Sequence, residues 1–228
     1  MSFHDDHNPS TLYKILLSLA LFTGVSLSTA ITSGAFPMLA SYANYSVVEG
    51  DFIRQMILFL CGILYGLRFM VGMFVFLQRK IAWGEGLLVS FLFFMMFYLF
   101  GISAGSHREP LGIVDYAGIS IFFIGSCINY KADYDRWKWK QLDSSHGKLY
   151  TTGLFKYSMH INYFGDTLTY LGLAMLTHTL VCYLVVLGIT LNFMFYQIPK
   201  LDTYLRERYT DQFISYSAST KKFIPFIY

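Results

Sequence analysis

Two asparagine–carboxylate pairs stand at matched spacing: Asn129 with Asp133, and Asn162 with Asp166. Four residues apart on a helix, each pair shares one face. A carboxamide beside a carboxylate can hold a ribose and an amide, and the two pairs are expected at one membrane depth. The alternative is that Asn162 or Asp166 simply starts a helix. A second feature is Tyr65 with Arg68, three apart in an apolar stretch and so on one helical face. A phenol beside a guanidinium donates a strengthened hydrogen bond to a ligand oxygen. A charge at mid-membrane costs at least about 2.5–3.5 kcal/mol and needs a partner or a wet cavity. Arg68 can therefore instead clamp two helices by pairing with Asp115 or Glu85. The third feature is Arg136, Lys138, Lys140 and Lys148, interleaved with Trp137 and Trp139. Such cations clamp phosphates, or they set topology while the tryptophans lie at the headgroups.

The elements that must position these residues are apolar helices. Of 228 residues, 55% are hydrophobic and only 14% charged, with a mean hydropathy of +0.46. Soluble chains carry about 25% charged residues. The numbers exclude disordered, collagen-like and disulfide-scaffold classes, and a net charge of +3 does not suggest a nucleic-acid partner. Apolar spans are expected at 12–34, 55–77, 87–102 and 113–129, followed by the polar stretch 131–148. Two further apolar stretches follow at 163–176 and 180–198. The first of these is short and suggests a tight hairpin or a partly submerged helix. The fold class expected is all-α: one integral-membrane bundle over 1–228 with about six transmembrane helices.

The basic residues set the orientation. Alternating the sides puts Lys14, Arg79, Lys80, Lys131, Arg136, Lys138, Lys140, Lys148, Lys156, Lys200, Arg206, Arg208, Lys221 and Lys222 together, against Arg54 and Arg108. The positive-inside rule then puts both termini and residues 131–162 in the cytoplasm. The N-terminal apolar stretch lacks a positive n-region and is expected to be retained as a span. Cys61, Cys127 and Cys182 show no metal or CxxC spacing and read as small buried residues. No GxGxxG, P-loop, HExxH or GxSxG motif is present, and no metal site is expected. A nucleotide must therefore bind in a membrane cavity closed by cytoplasmic loops.

The stretch Gly-Leu-Phe-Lys-Tyr-Ser-Met-His-Ile-Asn-Tyr-Phe-Gly-Asp at 153–166 resembles the hallmark of the steroid 5-alpha-reductase C-terminal superfamily. More narrowly it is similar to the bacterial membrane proteins of the DUF1295 group. The chain end is similar too: Ile198-Pro199, Tyr204-Leu205 and Phe223-Ile-Pro-Phe226. Tyr65-Gly-Leu-Arg68 and Asn129-Tyr-Lys-Ala-Asp133 resemble the Tyr-x-x-Arg and Asn-x-x-x-Asp of the steroid reductases, in the right order. The resemblance implies a helical membrane enzyme that binds NADPH in a pocket open to the cytoplasm, in the bacterial inner membrane, and acts on a small hydrophobic substrate. It implies Tyr65 and Arg68 as catalytic residues. It implies Asn129, Asp133, Lys140, Lys148, Tyr157, His160, Asn162, Asp166 and Tyr204 as cofactor contacts. Met159 and Ile161 replace the Arg and Pro of the family's RHPNY, and span one lacks the steroid reductases' Gln-Glu pair. The superfamily also includes isoprenylcysteine methyltransferases, which bind S-adenosylmethionine. Asn129/Asp133 and the NYFGD block favour the reductase side, and a non-enzymatic membrane protein is the remaining alternative.

Overall fold

The computed structural model describes residues 11–33, 41–42, 50–77 and 83–228, and every regular element among them is helical. Arg79 and Lys80, counted for orientation, lie outside the described residues, as does the side chain of Glu85. The main helices are α1 (Thr11–Thr32), α2 (Phe52–Val71), α3 (Trp83–Gly105), α4 (Ile113–Lys140), α5 (Ile161–Met175), α6 (Leu180–Asn192) and α7 (Ile198–Ser219). Wider π-helical turns, Gly72–Phe76 and Phe193–Gln197, extend α2 and α6. Five helical stretches are long and apolar enough to cross a membrane: Thr11–Thr32, Phe52–Phe76, Gly86–Gly105, Ile113–Lys140 and Leu180–Ser219. By its contacts the chain forms two compact units, Met1–Phe122 with Leu171–Val185, and Phe123–Tyr170 with Val186–Tyr228.

In the first unit α1 packs on α3 and α2. The hydroxyl-rich character of α1 has a packing cause. Ser28 and Thr32 are buried, and each returns its hydroxyl to its own helix, to Val25 O at 2.9 Å and to Ser28 O at 2.9 Å. That satisfies the polar atom and leaves a small side chain at the contact. Gly101 and Gly105 of α3 lie opposite. A Cβ on Gly101 would come 1.8 Å from Ser28 Oγ, and one on Gly105 2.3 Å from Thr32 Cβ. Small residues four apart on both helices allow the close approach on which membrane helix packing depends.

Helices α4 and α5 meet in the same way, antiparallel. In the first unit a Cβ on Gly172 would reach Gly118 O at 2.5 Å. In the second, a Cβ on Gly125 would reach Gly165 O at 2.6 Å, and one on Gly165 would reach Asn129 N at 2.7 Å. At 15 residues, α5 rises only about 22 Å, short of a hydrocarbon core of about 30 Å. A tight turn at 176–179 leads from it into α6, so the short apolar stretch is the hairpin expected.

Two expectations are corrected. The helix of the fourth span does not end near 129, where the apolar stretch ends, because α4 stays helical through the first part of the polar stretch to Lys140. Cys127 is exposed, whereas Cys61 and Cys182 are buried. Two positions beyond Gly125, Cys127 points away from the face that α4 turns toward α5.

Candidate functional site

The glycine contact of α4 and α5 sets the candidate site. With Gly125 against Gly165, the next turn brings Asn129 to Asn162, and Asn129 Nδ2 donates to Asn162 O at 3.0 Å. α5 begins at Ile161, before both Asn162 and Asp166, so neither residue is its cap. The two carboxamide positions thus share one level. The carboxylates do not, which corrects the expected single depth. Antiparallel helices send Asp133 one turn one way and Asp166 one turn the other, about 12 Å apart along the axes.

The hallmark block at 153–166 leads into α5, and most of its residues have a local structural cause. Gly153 has φ +62, a conformation that glycine adopts without strain. Phe155 packs with Ala132 and Ile161. Ser158 Oγ donates to Phe223 O at 2.8 Å, and the backbone N–H groups of Met159 and His160 donate to Lys221 O and Lys222 O at 2.8 and 3.1 Å. The tail is thereby stitched to the entrance of α5. The ring of His160 is 1% exposed and bonds Asp202 of α7 at 2.8 Å, while Lys222 Nζ meets the same carboxylate at 3.1 Å. Tyr163 stacks on Phe193 at 4.8 Å, and Phe164 meets Phe223 edge-on at 6.0 Å. Tyr157 is 38% exposed and lies beside Phe226 and the Lys156 ammonium.

Charge collects around the end of α4. Asp133 pairs with Arg136 at 2.7 Å. Lys140 lies within electrostatic range of Arg136, Arg208 and Asp133. Tyr204 accepts a hydrogen bond from Arg208. Three cations thus share a neighbourhood with one carboxylate, which favours an anionic ligand. Among the described residues, Lys140 makes no ion pair and the Asn162 side-chain amide makes no hydrogen bond, so both keep donors for a ligand. Lys148 is exposed and Asp166 partly buried.

In the first unit, Tyr65 is 2% exposed and ringed by Phe69, Phe93 and Phe97, with centroids 6.1, 6.2 and 5.2 Å away. The Arg68 guanidinium lies 4.9 Å from the Tyr65 ring centroid, a cation–π contact. Asp115 is not the partner suggested for Arg68. Its carboxylate accepts from Arg54 Nε at 3.0 Å and Nη2 at 3.1 Å, from Gly112 N at 2.8 Å, and bonds His178 at 2.9 Å. Arg54 starts α2 and Asp115 starts α4, so both stand at helix ends where loops converge.

Sequence reasoning missed Arg208 and Asp202 as members of the site neighbourhood, because both lie in the polar tail beyond the last apolar stretch, far in sequence from Lys140 and His160. The amphipathic spacing of Asp202, Leu205, Tyr209 and Phe213 was the available signal. It missed the Arg54–Asp115–His178 cluster as well. There the signal was two charges at the ends of apolar runs on the same expected side.

A family model described as "Protein of unknown function (DUF1295)" matches residues 81–220. Comparison with curated proteins gives no match. The matched stretch contains Asn129, Asp133, Lys140, the hallmark block and Tyr204, whereas Tyr65 and Arg68 precede it. Because the match takes in more than half of the sequence, the chain belongs to the DUF1295 family, which is steroid 5-alpha-reductase-like.

Proposed function

We propose that the protein is an NADPH-dependent reductase of an activated carbon–carbon double bond in a small, lipid-like substrate. The observation that carries this reading is the Lys140–Arg136–Arg208 neighbourhood in the same unit as the Asn129–Asn162 contact. The donor set fits the cofactor. Lys140, Arg136 and Arg208 suit its phosphates. The Asn162 amide, with Asp133 and Asp166 a turn to either side, suits ribose hydroxyls and the carboxamide. Tyr204 stands beside Arg208, and His160 acts on the site through Asn162, two residues on. When bound, NADPH supplies a hydride to an electron-poor carbon.

The family resemblance assigns the chain's own contribution to the chemistry to Tyr65. Its phenol donates a hydrogen bond to the substrate carbonyl and stabilises the negative charge that develops there. Held among three phenylalanine rings, that donor works in dry surroundings, where such stabilisation is strongest. Arg68, over the ring, orients the phenol. The positive-inside rule supports a cytoplasmic face for this site, because its cations belong to the more basic side.

Binding of NADPH and of S-adenosylmethionine to the purified, detergent-solubilised protein tests the proposal. NADPH is expected to bind with an affinity that falls as salt rises, because cations hold its phosphates. S-adenosylmethionine lacks phosphates. Binding of that ligand without NADPH, or of neither, overturns the reading.

A further inference from the structure

A second polar cluster, in the first unit, has no part in that chemistry. Arg54 and Asp115 form an ion pair in which both side chains are fully buried, with Nε to Oδ1 at 3.0 Å. The same guanidinium donates to three carbonyls of one loop: His107 O at 3.3 Å, Glu109 O at 2.7 Å and Pro110 O at 3.3 Å. The loop at 106–112 is also held by Asp51, whose backbone N–H donates to His107 O at 2.9 Å. The guanidinium thus divides its hydrogen bonds between Asp115 of α4 and the carbonyls of this loop, and so ties both to the start of α2.

Two histidines sit on the ion pair. His178 bonds Asp115 at 2.9 Å, and the His107 ring stacks on the His178 ring at 4.3 Å and 7°. The backbone of His178 is left-handed, φ 52, at the turn that ends α5. Glycine and asparagine adopt that conformation most readily, and histidine also visits it.

We propose that the His107–His178 stack, seated on the Arg54–Asp115 pair, is a pH-sensitive latch. It holds the 106–112 loop closed while His107 is neutral and releases the loop on acidification. A charged His107 ring would face the buried Arg54 guanidinium and a second imidazole in parallel contact. The groups acting on it from every side are Arg54 of α2, Asp115 of α4, His178 of the α5–α6 turn and Glu109 of its own loop. The Asp51 carboxylate accepts from Arg54 N, and Tyr183 of α6 lies within range of Asp115. Asp115 and Glu109 favour the proton, but Asp115 is already saturated by four donors. Burial, Arg54 and His178 oppose it and hold the His107 imidazole below its ordinary value of 6.5.

A histidine held low is protonated more readily in the open state than in the closed one. The closed loop is therefore fully favoured above about pH 6.5 and loses stability as pH falls below it, toward the lowered value in the closed state.

Hydrogen exchange of peptides covering 106–112, in the full-length detergent-solubilised protein, reads the latch directly. Corrected for intrinsic rates, protection is expected to drop about tenfold between pH of about 8 and pH of about 5. His107→Gln should abolish that pH dependence, and His178→Asn, which tolerates the left-handed backbone, should weaken it. Wild-type protection that changes less than about twofold overturns the latch. So does a His107→Gln variant that keeps the full pH dependence. If His107→Gln does not fold, the wild-type profile and His178→Asn decide the question by the same criteria.

Discussion

At the scale of single residues, the structure separates groups that hold the fold from groups with donors to offer. Asn129 donates to a backbone carbonyl of α5, and His160 is closed in with Asp202. Asn162, one residue past the start of α5, keeps its amide for a ligand. Asn162→Ala is therefore expected to weaken NADPH binding at least tenfold, about 1.4 kcal/mol, while leaving the fold intact. Isothermal titration of folded variant against wild type checks this, and equal affinities would remove Asn162 from the site. Tyr65→Phe keeps the ring among Phe69, Phe93 and Phe97 and removes only the hydroxyl. NADPH should bind as before, and single-turnover reduction should slow by about 10²-fold, the usual loss on removing one donor from a dry site. A rate within about twofold of wild type would make Tyr65 a packing residue.

At the scale of elements, the α4–α5 contact determines the register of the site. The glycines at 118, 125, 165 and 172 let the two backbones approach until a Cβ would meet main-chain atoms at 2.5–2.9 Å. Backbone cannot move aside as a flexible side chain can. Gly165→Ala is expected to destabilise the protein by about 1–3 kcal/mol and to weaken NADPH binding by shifting Asn129 from Asn162. Gly188 of α6 provides the control, since a Cβ there meets nothing within 4 Å. Gly188→Ala should be neutral or stabilising by up to about 1 kcal/mol through helix propensity. Thermal unfolding of the two variants in one detergent makes the comparison. Equal shifts would show that the close approach is not what holds α5 in place.

At the scale of the whole molecule, the basic residues predict orientation. A reporter active only outside the cytoplasm, fused after Tyr228, should give no signal, because Lys221, Lys222 and the α7 cations belong to the basic side. A strong signal would reverse the topology and move the proposed site to the other face. The sequence by itself determined the helical membrane class, the approximate spans and the family block. Those follow from apolar length and local spacing, which are properties of a continuous stretch. It also showed that Asn129/Asp133 and Asn162/Asp166 form two equivalent pairs. It did not show that they run antiparallel, so that the carboxamides meet and the carboxylates part; that depends on which glycines face each other. Nor did it show that Asp115 belongs to Arg54 rather than Arg68. Sixty-one residues separate Arg54 from Asp115, and periodicity within one helix carries no information about its neighbour. The approach of Arg208 to Lys140 and the bond of Asp202 to His160 depend likewise on where α7 folds back. Only tertiary packing decides such pairings, because a buried charge takes whichever partner the packed helices bring within hydrogen-bonding distance.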